Sequence, residues 1–295
     1  MNLVITPYFF RSNRVFLIVS KAFLFFLAYI GGTLGAAAQP GLVAHYRFNG
    51  TLLDQTSNAN HALATGNPSF VADRKGTANS AVSFGGCVNP QFLKVPHSAS
   101  LQVTNALTVS FWAKVDLSSG MDPGTGACNA NGRQVFFAKG GDGFGGSPPG
   151  VQGLTFQQNG LQQVSFESST YSGQFSTTIS RPQPGSVWHY YTYVVTASQF
   201  RLYIDAQLVR TFPISVDFEQ VNEQDLFLGV MGPKSSPVLG ITNWYPLKGA
   251  LDDVRVFNRE ITTQEIATLF HSDDTGNCTP SVSVLPTGNQ IICEK

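Results

Sequence analysis

The sequence predicts an all-β sandwich or jelly roll closed by one short C-terminal helix. Short alternating or apolar runs, among them "LVAHYRF", "LTVSFWAKV" and "LDDVRVF", recur between Gln39 and Ser272. Gly, Pro, Asn and Ser clusters separate them at the spacing of strands in such a fold. Strands do not alternate with helical patterns, and no internal repeat is present. The one stretch with a helix start signal, "ITTQEIATLF", follows the last run.

The N-terminus reads differently. Arg11, Arg14 and Lys21 precede the apolar run "AFLFFLAYIGG", and the small residues of "GAAAQP" follow, which is the order of a secretory signal peptide. Residues 1–38 are therefore expected to be a signal peptide cleaved near Ala38, leaving a secreted or cell-surface protein. The alternative is an uncleaved membrane anchor, because Ala22 to Ala38 approaches the length of a bilayer span. This segment is the only expected membrane contact. The 295 residues suffice for one large domain, while 12% charged residues at zero net charge give no basic field for nucleic acid.

Within residues 39–272 the strands follow in order: "LVAHYRF", "SAVSF", "FLKVP", "LTVSFWAKV", "RQVFFAK", "GLTFQQ", "QQVSFES", "WHYYTYVV", "FRLYIDAQLVR", "LFLGV" and "LDDVRVF". Two runs around "DAQ" read as a hairpin. Trp112 and Trp188 lie in strand runs and are expected in the core, with His45 and His189 as half-buried sheet residues. In the helix, Thr262 caps the first turn, Glu265 completes a capping box and Ile261 meets Ile266 as a staple. Ile266, Leu269 and Phe270 should then pack on the sandwich. The Gly-rich insertion from Asp116 to Gly150 is either a rim over a site or an excursion without function.

Several motifs exclude functions rather than assign them. "GDGFGG" at Gly141 to Gly146 matches a dinucleotide fingerprint but runs into "SPPG", which cannot open a helix. Pro149 stands where a nucleophile elbow needs glycine. The acidic stretch "DFEQVNEQD" does not align its carboxylates on one strand face as a glycosidase pair would require. In an exported chain, Cys87, Cys128, Cys278 and Cys293 point to disulfides, and spacing suggests Cys87–Cys128 as one bridge. Alternatively, Cys293 lacks its true partner, because the tail 273–295 resembles the truncated start of an immunoglobulin-like domain.

The adjacent Asp252 and Asp253 stand out in the last strand. Alternation places Asp252 inward with Val254 and Val256, and Asp253 with Arg255 on the other face. A buried carboxylate needs a cation or hydrogen-bond donors. Asn49, Asp54, Thr56, Asn58 and Asn60 in "YRFNGTLLDQTSNANHA" offer oxygens suited to calcium. This is no EF-hand, since Ala59 and Thr65 replace the loop glycine and terminal glutamate. The alternative is an Asx-rich turn whose side chains bond the backbone, with Asp252 paired to arginine or backbone amides.

"LVAHYRFNGTLLDQTSNANHA", "SAVSFGG", "FLKVPHSASLQVTNALTVSFWAKV", "SVWHYYTYVV", "FRLYIDAQLVR" and "GALDDVRVFNREITTQEIATLF" together resemble the laminin G-like (LamG-like) jelly-roll domain of the concanavalin A-like lectin/glucanase superfamily, over residues 41–271. The resemblance implies a two-sheet antiparallel jelly roll whose concave face or edge loops bind a polysaccharide or other glycan. It also implies a structural calcium pinning the first loop to the closing strand, with Asp252 and Asp54 as ligands and Asn49 and Asn60 supporting. The family usually carries Asp at position 49 and Gly at position 59, so Asn49 and Ala59 depart from it. The glucanases' paired acidic motif is missing. The expected function is a secreted, non-catalytic carbohydrate-binding or adhesion module of a multidomain protein. A structural domain binding other extracellular proteins is the alternative, and an unrecognised glycoside hydrolase or lyase the third reading. Trp244 and Tyr245 in "GITNWYPLKG" are the expected sugar platform, because sugar faces stack on exposed aromatic rings.

Overall fold

Two antiparallel sheets dominate the computed structural model, which describes residues 39–86, 91–116, 134–140, 150–158, 161–168, 175–179, 187–221, 223–231, 246–272, 281–285 and 288–292. The chain separates into two compact units, residues 1–40 and 41–295. The expected signal peptide (residues 1–38), the four cysteines, residues 141–149 with the "GDGFGG" stretch, and Trp244 with Tyr245 lie outside the described residues.

The first sheet has eight strands. Along its main path lie β13 (Gln207–Pro213), β12 (Gln199–Ile204), β11 (His189–Thr196), β6 (Ala106–Val115), β15 (Lys248–Phe257), β4 (Ala81–Gly85) and β3 (Ser69–Val71), while β1 (Leu42–Tyr46) also pairs β15. The second sheet runs β10 (Phe175–Ile179), β9 (Leu161–Ser168), β8 (Gly150–Gln158), β7 (Gln134–Gly140), β14 (Leu226–Leu228), β5 (Phe92–Val95) and β2 (Leu63–Thr65). In the tail, β16 (Ser281–Leu285) and β17 (Gly288–Ile292) form a separate hairpin.

The strands form where β-branched and aromatic residues alternate with polar ones. Leu107, Val109, Phe111 and Ala113 of β6 and Tyr191, Tyr193 and Val195 of β11 join the main core, which also takes Leu93, Phe137 and Leu228 from the second sheet. Burial of this apolar surface is the main force holding the layers together. At its centre the Phe111 ring lies 5.1 Å from Phe136 and 5.8 Å from Tyr191. Gly249, with φ 146, sits where an added Cβ would come within 2.2 Å of the Lys114 carbonyl oxygen, so only glycine fits there.

The "DAQ" hairpin forms as expected. Asp205 and Ala206 have φ 49 and 61, the positive values of a two-residue hairpin turn. The Asp205 carboxylate secures it by accepting from Tyr190 N at 2.9 Å, and His189 Nδ1 lies at the same distance. Strands β2, β3 and β10 were not expected. β2 and β3, three residues each, are too short to show a period.

The helix α1 (Thr263–His271) starts after Thr262, whose Oγ1 accepts from Glu265 N while Thr262 N donates to Glu265 Oε2. Its Ile266 and Leu269, with Ile261 just before the cap, cover the outer face of the first sheet. Trp112, expected in the core, lies on this outer face and stacks on Phe270 at 5.4 Å. The reason is register: its neighbours Phe111 and Ala113 face the core, so Trp112 faces out.

Candidate functional site

The site begins as a gap in strand pairing. On one flank of β15, β4 pairs residues 248 to 251, and β1 pairs residues 254 to 257. Asp252 and Asp253 fall between them. On the other flank, Asp252 is opposite Trp112 and Arg255 is opposite Ser110, so two residues of β15 face one of β6. This β-bulge centres on Asp253, whose φ of 52 is left-handed.

The bulge corrects the expected facing of Asp252. Leu251 before it and Val254 after it both join the core, whereas Asp252 shares the outer face with Trp112. Strict alternation holds only along an unbroken strand. Asp252 is nonetheless only 4% exposed.

Around the gap lies a polar cavity of about 240 Å³. Arg47 and Asn49 reach it from the chain after β1, and Asp73, Arg74, Lys75, Thr77 and Ser80 from the turn between β3 and β4. Three cations, Arg47, Arg74 and Lys75, and three carboxylates, Asp73, Asp252 and Asp253, line it, along with the amide of Asn49 and the hydroxyl of Thr77. Such a wall both donates and accepts hydrogen bonds.

The two central carboxylates have opposite electrostatic fates. Arg74 Nη1 donates to Asp252 Oδ2 at 2.5 Å. Burial still pushes the Asp252 carboxyl up to about 7, opposed by Arg74 and reinforced by the nearby Asp253 and Asp73. Burial would raise Asp253 as well, but the hydrogen bond from His45 and the charges of Arg255, His45 and Arg74 outweigh it and hold the group below the usual carboxylate range. His45 Nε2 lies 2.7 Å from Asp253 Oδ1, and Arg255 Nη1 donates to Oδ2.

The four residues expected to hold calcium are divided. Asn49 and Asp252 line the cavity, whereas Asp54 and Asn60 organise the first loop. Asp54 Oδ1 accepts from His45 N and Thr56 N at 2.8 and 2.9 Å, and Oδ2 accepts from Thr56 Oγ1 and Asn60 N at 2.7 and 2.9 Å. Those four bonds match the lone-pair capacity of a carboxylate. A bulge at Val43 breaks the β1 register, and the Val43 carbonyl accepts from Asn60 Nδ2 and Asn58 Nδ2 at 2.7 and 3.1 Å. Asn60 Oδ1 in turn accepts from Ser98 Oγ at 2.6 Å. Among the described residues, no three acidic, histidine or cysteine side chains gather as metal ligands. As folded, the side-chain oxygens of Asp54 and Asn60 are taken by hydrogen bonds within and beside the first loop.

The sequence reading missed Arg74, which lies 178 positions from its partner in a turn without periodicity. It also missed the link through His45, whose backbone holds Asp54 while its ring meets Asp253. The pairing of Asp253 with Arg255 had a signal in their shared face.

Comparison with known proteins places the fold. No curated protein sequence matches the chain. Among solved structures it is similar to domain 4 of AbnA, a GH43 extracellular arabinanase from Geobacillus stearothermophilus, in complex with arabinotriose, with TM-score 0.54, 19% identity, and coverage of 77% of this chain and 97% of that one. It is also similar to the binding domain of botulinum neurotoxin DC in complex with rat synaptotagmin II, with TM-score 0.52, 10% identity, and coverage of 82% and 54%. A botulinum neurotoxin type C structure, from work describing cell entry as dependent upon interaction with two ganglioside molecules, matches with TM-score 0.51, 12% identity, and coverage of 78% and 50%. The chain thus spans about half the length of these toxin chains. At such identities the likeness is one of fold. The family model of the concanavalin A-like lectin/glucanases superfamily matches residues 89–267, more than half of the sequence. With its two antiparallel sheets and a single short helix among the described residues, the chain belongs to the concanavalin A-like lectin/glucanases superfamily.

Proposed function

We propose that this chain is a secreted, non-catalytic carbohydrate-binding module whose cavity beside β15 receives a sugar unit of a larger glycan. The observation that carries this is the cavity wall, which interleaves guanidinium, ammonium, carboxylate, amide and hydroxyl groups around about 240 Å³. Sugar hydroxyls both donate and accept, so they need that mixture. The fold likeness to an arabinanase domain in complex with arabinotriose, and to a toxin described with gangliosides, supports the reading. Binding is favoured over hydrolysis because Asp252 and Asp253 are adjacent and held by Arg74, His45 and Arg255. A glycosidase needs two carboxyl groups flanking the scissile bond. Secretion rests on the basic, apolar and small-residue order of residues 1–38. Trp244 and Tyr245 are proposed as an accessory stacking surface on their residue type and loop sequence.

The test is binding of the full chain to arabinan, other plant and microbial polysaccharides, and ganglioside glycans. Arg47 and Asn49 are exposed, so their replacement by alanine should leave the melting temperature unchanged. The double variant should bind about tenfold more weakly, equivalent to about 1.4 kcal/mol. Equal affinity would remove the cavity from the binding site, and retention on no glycan would favour a domain that binds proteins.

A further inference from the structure

Asp252 is deep enough that its ionised form needs a counter-charge. The chain supplies one from the turn between β3 and β4. Arg74, with its side chain 11% exposed, donates to Asp252 Oδ2 at 2.5 Å, and its guanidinium carbon lies 4.5 Å from the Trp112 ring centroid. A guanidinium suits this position because it is planar, weakly hydrated and able to stack while it pairs. An ammonium or a metal ion could do only part of this.

Two of the other expected ligands are already engaged. Asp54 accepts from three backbone amides and one hydroxyl, and the amide of Asn60 is used at both ends. A metal could reach those oxygens only by breaking bonds that shape the first loop. The closing strand is tied to its neighbours by Arg74 on Asp252 and by the His45 ring on Asp253, while Arg255 pairs with Asp253 within the strand itself.

We propose that Arg74 is the built-in cation of this domain, holding the turn between β3 and β4 against β15 and Trp112, so that the fold and its cavity stand without calcium or another divalent ion. The proposal rests on the cavity described above but not on what binds there, and it is tested on the unliganded protein.

The experiment is a thermal melt of the full chain at about pH 8, where Asp252 is expected to be ionised, with calcium and then with a chelator. The two curves should coincide, and calorimetric titration with calcium alone should give no binding heat. Arg74→Gln leaves the Asp252 charge buried without its partner and should lower the melting temperature by roughly 5–10 °C. Arg74→Lys, which keeps the charge and loses the flat face over Trp112, should recover part of that loss. Adding Asp252→Asn to Arg74→Gln should cost less than the sum of the two single changes, because the residues act as a pair. A rise in the wild-type melting temperature on adding calcium would overturn the proposal, as would an unshifted melt for Arg74→Gln. If that variant does not fold, the wild-type comparison and the lysine variant still decide. Glycan binding can fail without affecting any of these outcomes.

Discussion

Asp252 carries an unusual burden for a single residue, because burial and Arg74 act on its proton in opposite directions. Burial prevails, and the folded-state value of about 7 lies above that of an unfolded aspartate. The folded chain therefore holds a proton that the unfolded chain has released, and stability falls as pH rises through this window. The contribution is full below the unfolded value and lost once pH passes about 7. Asp253 has the opposite sign: its lowered value favours the fold above the ordinary range and ceases to do so in acid. Urea unfolding between about pH 5 and about pH 8 should show a loss from Asp252 of at most about 1.4 kcal/mol per pH unit, which Asp252→Asn removes. Identical pH profiles for the two proteins would show that Asp252 titrates normally. The special status of this Asp pair was legible in sequence, since two charges in an apolar run need an explanation. Its facing was not, because the bulge at Asp253 arises from pairing with β6, and Arg74 comes from a distant turn.

At the scale of elements, the helix was the most legible part. Its start signal is local: Thr262 and Glu265 are three residues apart, and their reciprocal bonds form within one turn. Arg259 extends the arrangement, its Nη2 lying 2.5 Å from Glu265 Oε1, and this bond leads the interactions that lower the Glu265 carboxyl to about 2. Thr262→Ala should cost about 1 kcal/mol, read as a shift in the urea midpoint with an unchanged slope. An unchanged midpoint would mean that tertiary packing alone fixes α1. Long strands such as β6 and β11 could be read from their alternating residues, but β2 and β3 exist only through pairing with β5 and β4. Asn58 and Asn60 were legible as turn formers, whereas their common acceptor depends on the bulge that frees the Val43 carbonyl.

Across the whole domain, the chain returns to where it began. Late-sequence β15 lies inside the first sheet, between β6 on one flank and β4 with β1 on the other. A chain ending at Leu247 would leave β6 unpaired on that flank and should not fold, giving a circular dichroism melt without a cooperative transition. A cooperative melt would show that the remaining strands form a self-sufficient sheet. The same pairing puts Leu42 beside Phe257, and Asn258 N donates to the Gly41 carbonyl at 3.0 Å. The two ends of the sandwich thus meet at one point, with antiparallel strands leading away from it. Under mechanical load, a pull on these ends would open β1 from β15 one rung at a time rather than shear all the rungs together. The seam would act as a low-force release, and α1, docked on the sheet just beyond Asn258, would be the clasp that tension reaches first.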